Sequence, residues 1–146
     1  MKITCPFFNH NSSIPSKYTC DGVDLNPSLK FADIPAAAKS LVLIVDDPDA
    51  PAGDWSHWIV YNIASSQTEI AENSVPEGAE LGLNDFGRTT WGGPCPPSGE
   101  HHYHFKLYAL DTILKFSRPP KKTQLEQAME GHILKQAELI GHYKRK

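Results

Sequence analysis

Two proline- and glycine-rich stretches carry most of the side chains in this sequence that could do chemistry. The first runs from Asp46 to Trp58 and contains Asp47, Pro48, Asp49, Pro51, Trp55, Ser56 and His57; the second runs from Gly92 to Phe105 and contains Gly93, Pro94, Cys95, Pro96, Pro97, His101, His102, Tyr103 and His104. Pro48 and Pro51 fix φ on either side of Asp49-Ala50, so the two carboxylates start from a stiff frame and lose little entropy when a ligand arrives. A carboxylate beside a histidine favours the imidazolium, and an imidazolium donates well to a phosphoryl or carboxylate oxygen. Asp47 follows an apolar run and His57 heads the next one, so a hairpin-like connection is expected to join them as an ion pair. Gly92-Gly93 leaves backbone N–H groups unscreened, as in anion-binding nests. Taken singly, these residues also fit blander roles: Asp47 and Asp49 as Asx caps of turns, and His101 as a satisfied core histidine. The two loops together favour a small-anion pocket.

The elements that must position these groups read mainly as β. Short runs bounded by Pro, Gly, Asn and Asp suggest strands near Tyr18 to Cys20, Leu29 to Phe31, Leu41 to Val45, Trp58 to Ile63 and Tyr103 to Leu110. The Leu41 to Val45 run is apolar on both faces, which predicts a central strand covered on both sides. Alternation places His57 with Ile59, Tyr61 and Ile63, and it places His101 with Tyr103, Phe105, Leu107 and Ala109, opposite His102, His104, Lys106 and Tyr108. Ser65 to Arg88 reads as an extended excursion. After Pro119-Pro120, Thr123 and Glu126 have the spacing of a capping box, and Leu125, Met129, Ile133, Ala137 and Ile140 recur at helical intervals. The expectation is one C-terminal helix of roughly 20 residues, about five turns.

A length of 146 residues with 40% hydrophobic content fits a single domain, 1–146, with one sizeable core. A net charge of -3 argues against a broad electrostatic grip on nucleic acid. No apolar run approaches the length of a membrane span or a signal-peptide core, so a cytoplasmic protein is expected. Cys5, Cys20 and Cys95 are odd in number and contain no CxxC pair, which indicates neither a disulfide framework nor a thiolate zinc site.

Two ordered motifs, with support elsewhere, resemble the phosphatidylethanolamine-binding protein family, also called the Raf kinase inhibitor protein family, and most closely its small bacterial and archaeal members. The motifs are Asp47-Pro48-Asp49-Ala50-Pro51 leading to Trp55-x-His57-Trp58, and Gly93-Pro94 leading to Gly99-x-His101-x-Tyr103. Further likeness lies in Ile14-Pro15 with Tyr18 to Gly22, in Asn84 to Arg88 and in Ala128 to Leu134. The resemblance implies an antiparallel β-sandwich, a large central sheet packed on a smaller one, with an anion cavity at one end. It implies Asp47, His57, Gly93 and His101 as cavity residues supported by Asp49 and Tyr103. It also implies a cis Ala50–Pro51 peptide, no metal and no organic cofactor. Phosphate, acetate or a phosphorylated head group would be the ligand, and a protein kinase or protease is the kind of partner described for relatives. The same likeness implies a homodimer. This sequence departs from the family pattern at His102, where Arg is usual after the first histidine, and at Trp91, where Tyr is more typical. His102 replaces a permanent cation with a group that titrates near neutrality.

The leading function is therefore a small-anion or phosphoryl-group binding protein with a regulatory or inhibitory role, not an enzyme. A hydrolase working on a phosphoester or ester through Asp47 and His57 is the first alternative. Ser56 is a poor nucleophile for it, since adjacent strand residues point apart. The second alternative is a metal site built on His101, His102 and His104, although only His102 and His104 share a face.

Overall fold

The Ser40–Asp47 strand is buried along its whole length, and the rest of the protein is arranged to cover it. The computed structural model describes residues 1–146. In chain order the elements are β1 (Lys2–Thr4), β2 (Ser12–Ser13), a 3-10 turn (Ser16–Tyr18), β3 (Leu29–Ala32), β4 (Ser40–Asp47), β5 (Trp55–Ala64), β6 (Glu69–Ile70), β7 (Glu80–Leu81), β8 (Glu100–Leu110), α1 (Lys122–Met129) and β9 (Ile133–Lys144). They form a six-stranded sheet in the order β2-β9-β8-β4-β5-β7 and a three-stranded sheet in the order β1-β3-β6. All pairings are antiparallel except the short β2–β9 pair, which is parallel. The fold is the β-sandwich with a helix near its C-terminus that the sequence implied.

Leu41, Leu43 and Val45 from β4 join Trp58, Val60, Phe105 and Leu107 in one core with Ile3, Leu29, Phe31 and Ile70 of the small sheet. On the outer face Val42 and Ile44 pack with Ile59, Tyr61, Leu125 and Met129, so α1 lies over the large sheet. An all-apolar strand is stable here because both of its faces are removed from water. No helix is long and apolar enough to cross a membrane.

Five local expectations are corrected. Ser16–Tyr18 is a 3-10 turn, so the strand expected from Tyr18 does not form. The helix has 8 residues instead of roughly 20. Gly131 leaves it at φ +79°, and Ile133–Lys144 pairs with β8 from Leu110↔Ile133 to Glu100↔Lys144. Closing the β8 edge outweighs the weak helical spacing. The helix start also differs: Gln124 accepts the Lys121 N–H at 2.9 Å, in place of a Thr123–Glu126 box. Cys20 and Cys95 form a disulfide, with Cα atoms 5.4 Å apart, and Cys5 is the buried free thiol. The pairing is set by a tertiary contact, in which the Cys20 N–H donates to Pro94 O at 3.1 Å, and cysteine counting cannot register that. Finally, no peptide is cis, Ala50–Pro51 included; trans is the lower-energy form of an X–Pro bond unless packing demands otherwise.

Candidate ligand site

The C-terminal end of β4 and the starts of β5 and β8 meet at one end of the large sheet, beneath the two proline-rich loops. Asp47 ends β4, His57 lies near the start of β5, and His101 and Tyr103 lie at the start of β8. Along β4–β5 the register runs Val45↔Trp58 and then Asp46↔Ser56, which leaves His57 as the extra residue of a β-bulge. The bulge turns His57 to the same side as Trp58, into the inter-sheet face. This corrects the simple alternation, which put His57 with Ile59. The His57 ring stands edge-on to Tyr103 and to Phe86, with centroids 5.2 Å away in each case. A second register shift near Asn62, at φ +53°, lets Ile63 join Val60 inside while Ile59 and Tyr61 face α1.

Asp47 pairs with His101, not with His57. Its Oδ2 accepts from His101 Nδ1 at 2.6 Å, and its Oδ1 accepts the Asp49 N–H at 2.8 Å, an Asx turn that holds the first loop. Both members of the Asp47–His101 pair are buried. His57 Nδ1 donates instead to Gly92 O at 2.6 Å. Burial pushes the His57 pKa below its ordinary value, against the opposing pull of the Gly92 carbonyl and the Asp47, Asp24 and Asp46 carboxylates. The Tyr103 hydroxyl is buried and no protein group is in hydrogen-bonding geometry with it. Burial, with Asp47 and Asp49 adding to it, raises the Tyr103 pKa, so the phenol stays protonated.

These groups surround a cavity of about 290 Å³. Asp47, His57, His101 and Tyr103 supply its polar atoms, and Trp55 and Phe86, with the Ala50 to Ala52 and Cys95 to Pro97 segments, supply apolar walls. Four of the expected residues therefore come together. Asp49 and Gly93 do not line the cavity. The Asp49 carboxylate faces outward and takes the His102 N–H and Nδ1, each at 2.8 Å; His102, ahead of opposing burial, holds the Asp49 pKa below its ordinary value. The Gly93 N–H is spent on Asp24 Oδ1 at 3.0 Å and the Gly92 N–H on His57 O at 3.2 Å, so no open nest exists there. Gly93 is glycine because a Cβ would strike the Asp24 carboxylate and the Tyr18 carbonyl.

Three contributors are given no role at the site by the sequence alone. Trp55 and Phe86 form the apolar walls, and a large aromatic in a turn-rich segment was the available signal. Asp24, whose Oδ1 also accepts from Trp91 Nε1 at 3.2 Å, anchors the second loop, and nothing local marks it. Its own pKa is raised by burial, which the Gly93 and Trp91 hydrogen bonds only partly offset. On the opposite face of β4, fully buried Asp46 accepts from Lys122 Nζ at 2.7 Å and Lys106 Nζ at 3.1 Å. Lys122 also bonds Asp54 at 2.9 Å, so this network ties the first turn of α1 to the base of the first loop. His102 and His104 bond separately to Asp49 and Glu138, and no group of three or more His, Cys, Asp or Glu side chains is placed to hold a metal ion.

A family model described as phosphatidylethanolamine-binding protein matches residues 4–144. A UPF0098 protein of Methanothermobacter thermautotrophicus is 47% identical over 150 residues, covering 99% of each chain. Among solved structures, a phosphatidylethanolamine-binding protein homologue from Chlamydia trachomatis superposes with a TM-score of 0.95 at 44% identity, over 99% of this chain and 97% of that one. YbcL of E. coli, described as a member of the mammalian PEBP family, superposes with a TM-score of 0.92 at 30% identity, over 99% and 98% of the two chains.

Proposed function

The chain belongs to the phosphatidylethanolamine-binding protein family, and from that premise we propose that it binds small anions bearing a phosphoryl group in the cavity of Asp47, His57, His101 and Tyr103. The observation that carries this reading is the buried Tyr103 hydroxyl, a donor with no protein acceptor, facing a cavity that also holds two buried histidines. A buried donor is costly unless a partner arrives, and an anionic oxygen is the strongest partner available. NMR titration with inorganic phosphate, following the His57 and His101 ring signals, tests it. Saturable shifts of both rings, lost in His101→Ala, are expected; silent rings would refute the reading.

The proposal includes a regulatory or inhibitory role without turnover, with a kinase or protease as the partner class. No serine, threonine or lysine lines the cavity, its one cysteine, Cys95, is in the disulfide, and Ser56 Oγ is buried on β5 without a partner. The hydrolase reading keeps one supporting feature. Asp47 orients His101 as the acid of a catalytic dyad orients its base. Release of nitrophenol from nitrophenyl phosphate or acetate, abolished by His101→Ala, would favour it over pure binding. A cytoplasmic setting is also proposed, and the Cys20–Cys95 bridge provides its test, since such bridges are uncommon in reducing compartments. Fractionation combined with thiol alkylation should place the protein in the cytoplasm; an extracytoplasmic pool would overturn the assignment. Mass in solution tests the proposed homodimer.

A further inference from the structure

The cavity's polar atoms divide into donors and acceptors in a way that discriminates among anions. A carbonyl only accepts, so the 2.6 Å contact between His57 Nδ1 and Gly92 O fixes a proton on Nδ1. The remaining polar atom of that ring, Nε2, then carries a lone pair whenever the ring is neutral. The surroundings favour the neutral ring. It is buried on β5 between the edges of Phe86 and Tyr103, and burial lowers its pKa. No lysine or arginine lines the cavity, and Arg88 lies over the Phe86 ring, 5.3 Å from its centroid.

The other groups facing the cavity are accounted for in the same way. From β8, Tyr103 Oη is a protonated donor, and His101 is held by Asp47 of β4, so that pair brings no net positive charge. From the segment after the 3-10 turn, Asp24 adds negative charge behind the second loop, where it is bonded to Gly93 and Trp91. The site therefore offers a fixed donor at Tyr103 and a fixed acceptor at His57, without a permanent cation. An anion made only of acceptor oxygens sets one of them against the Nε2 lone pair. An anion that retains one acidic proton satisfies both groups.

We propose that the cavity selects phosphomonoesters, bound as the singly protonated monoanion, with P–OH donating to His57 Nε2 and an unprotonated oxygen accepting from Tyr103 Oη. The inference rests on the phosphoryl-binding reading above and narrows it, because phosphodiesters, including lipid head groups esterified on both sides, and sulfate esters are permanently without that proton. A monoester has its second pKa near 6, so above neutrality its binding draws one proton from solvent. An unmet buried acceptor costs enough to weaken a proton-less analogue by about ten- to a hundredfold.

Isothermal titration of the whole protein with phenyl phosphate, phenyl sulfate and glycerophosphoethanolamine decides the matter, run near pH 7.5 and near pH 5.5 in buffers of different ionisation enthalpy. Near pH 5.5, where most of the monoester already carries its proton, phenyl phosphate should bind at least about tenfold more tightly than the other two. Near pH 7.5 it should take up close to one proton on binding, and the roughly thirtyfold cost of protonating the dianion there should narrow or close the gap. Equal affinity for all three near pH 5.5, or phosphate binding without proton uptake near pH 7.5, overturns the selectivity and leaves the phosphoryl-binding reading in place. If none of the three binds, that reading falls and the inference with it. His57→Gln supplies an amide donor at every pH, so it should bind phenyl sulfate and phenyl phosphate alike; retained selectivity in that variant would remove His57 from the explanation.

Discussion

Replacing Tyr103 with phenylalanine should move stability and ligand binding in opposite directions, a pattern that a packing residue cannot produce. The Tyr103 ring is 1% exposed and belongs to the inter-sheet core, where it stands edge-on to His57 at 5.2 Å. Phenylalanine keeps that ring and its contacts. What it removes is the hydroxyl, which makes no hydrogen bond to the protein. A side-chain hydrogen bond normally contributes about 1 kcal/mol to stability, and none is lost here. Removing a poorly satisfied buried donor should leave the protein unchanged or more stable by up to about 1 kcal/mol. Binding should suffer instead, because a hydrogen bond to a charged oxygen is worth about 1.5–3 kcal/mol, or roughly ten- to a hundredfold in Kd. Urea unfolding, read for both midpoint and slope, and titration with inorganic phosphate measure the two effects on one preparation. A variant destabilised by more than about 1 kcal/mol with unchanged phosphate affinity would show that the hydroxyl serves the fold, and the reasoning from its missing partner would be wrong.

Further expectations follow from the loops and from the buried charges. Reducing the Cys20–Cys95 bridge, which spans 75 residues, should cost up to about 4 kcal/mol through the freed unfolded chain, visible as a Tm lowered by about 10 °C. An unchanged Tm would deny the bridge that role. Lys122→Met leaves buried Asp46 with Lys106 alone and should destabilise by about 1–3 kcal/mol, largely recovered in the Asp46→Asn, Lys122→Met double variant; additive losses would refute the coupling. The His57 pKa is lower in the folded protein than in the unfolded chain, so its contribution is complete above the unfolded value near 6.5 and is lost as pH falls through the folded one. Wild type should therefore lose more stability than His57→Gln between neutral and mildly acidic pH, and parallel profiles would contradict this. His102→Ala should raise the Asp49 pKa and remove part of the pH dependence of phosphate affinity; an unaltered affinity profile would confine His102 to the surface.

The chemistry of the site was legible because residue types and loop stiffness are local properties. Asp47, His57, His101 and Tyr103 all reach the cavity, and the alternation of His101, Tyr103, Phe105 and Leu107 along β8 predicts their common face correctly. The errors that bear on the site share a physical origin, which is that register and tertiary pairing are long-range quantities. A single extra residue at His57 shifts the strand's period, so it shares a side with Trp58 and no pattern of twos can show it. The same limit explains β9. Ile133, Ala137 and Ile140 read as a helical stripe, but Leu139, Gly141 and Tyr143 are the residues buried at strand spacing once β8 offers its edge. Gly93 and Cys95 complete the case, since the partners that define them, Asp24 and Cys20, lie far away along the chain. The bulge is therefore more than a local irregularity. It directs His57 Nδ1 to Gly92 O, which fixes the ring's tautomer and leaves Nε2 as the acceptor that a bound anion must match. A one-residue departure from regular pairing thus sets the hydrogen-bonding character of the cavity, even though the four polar side chains that line it are legible in the sequence.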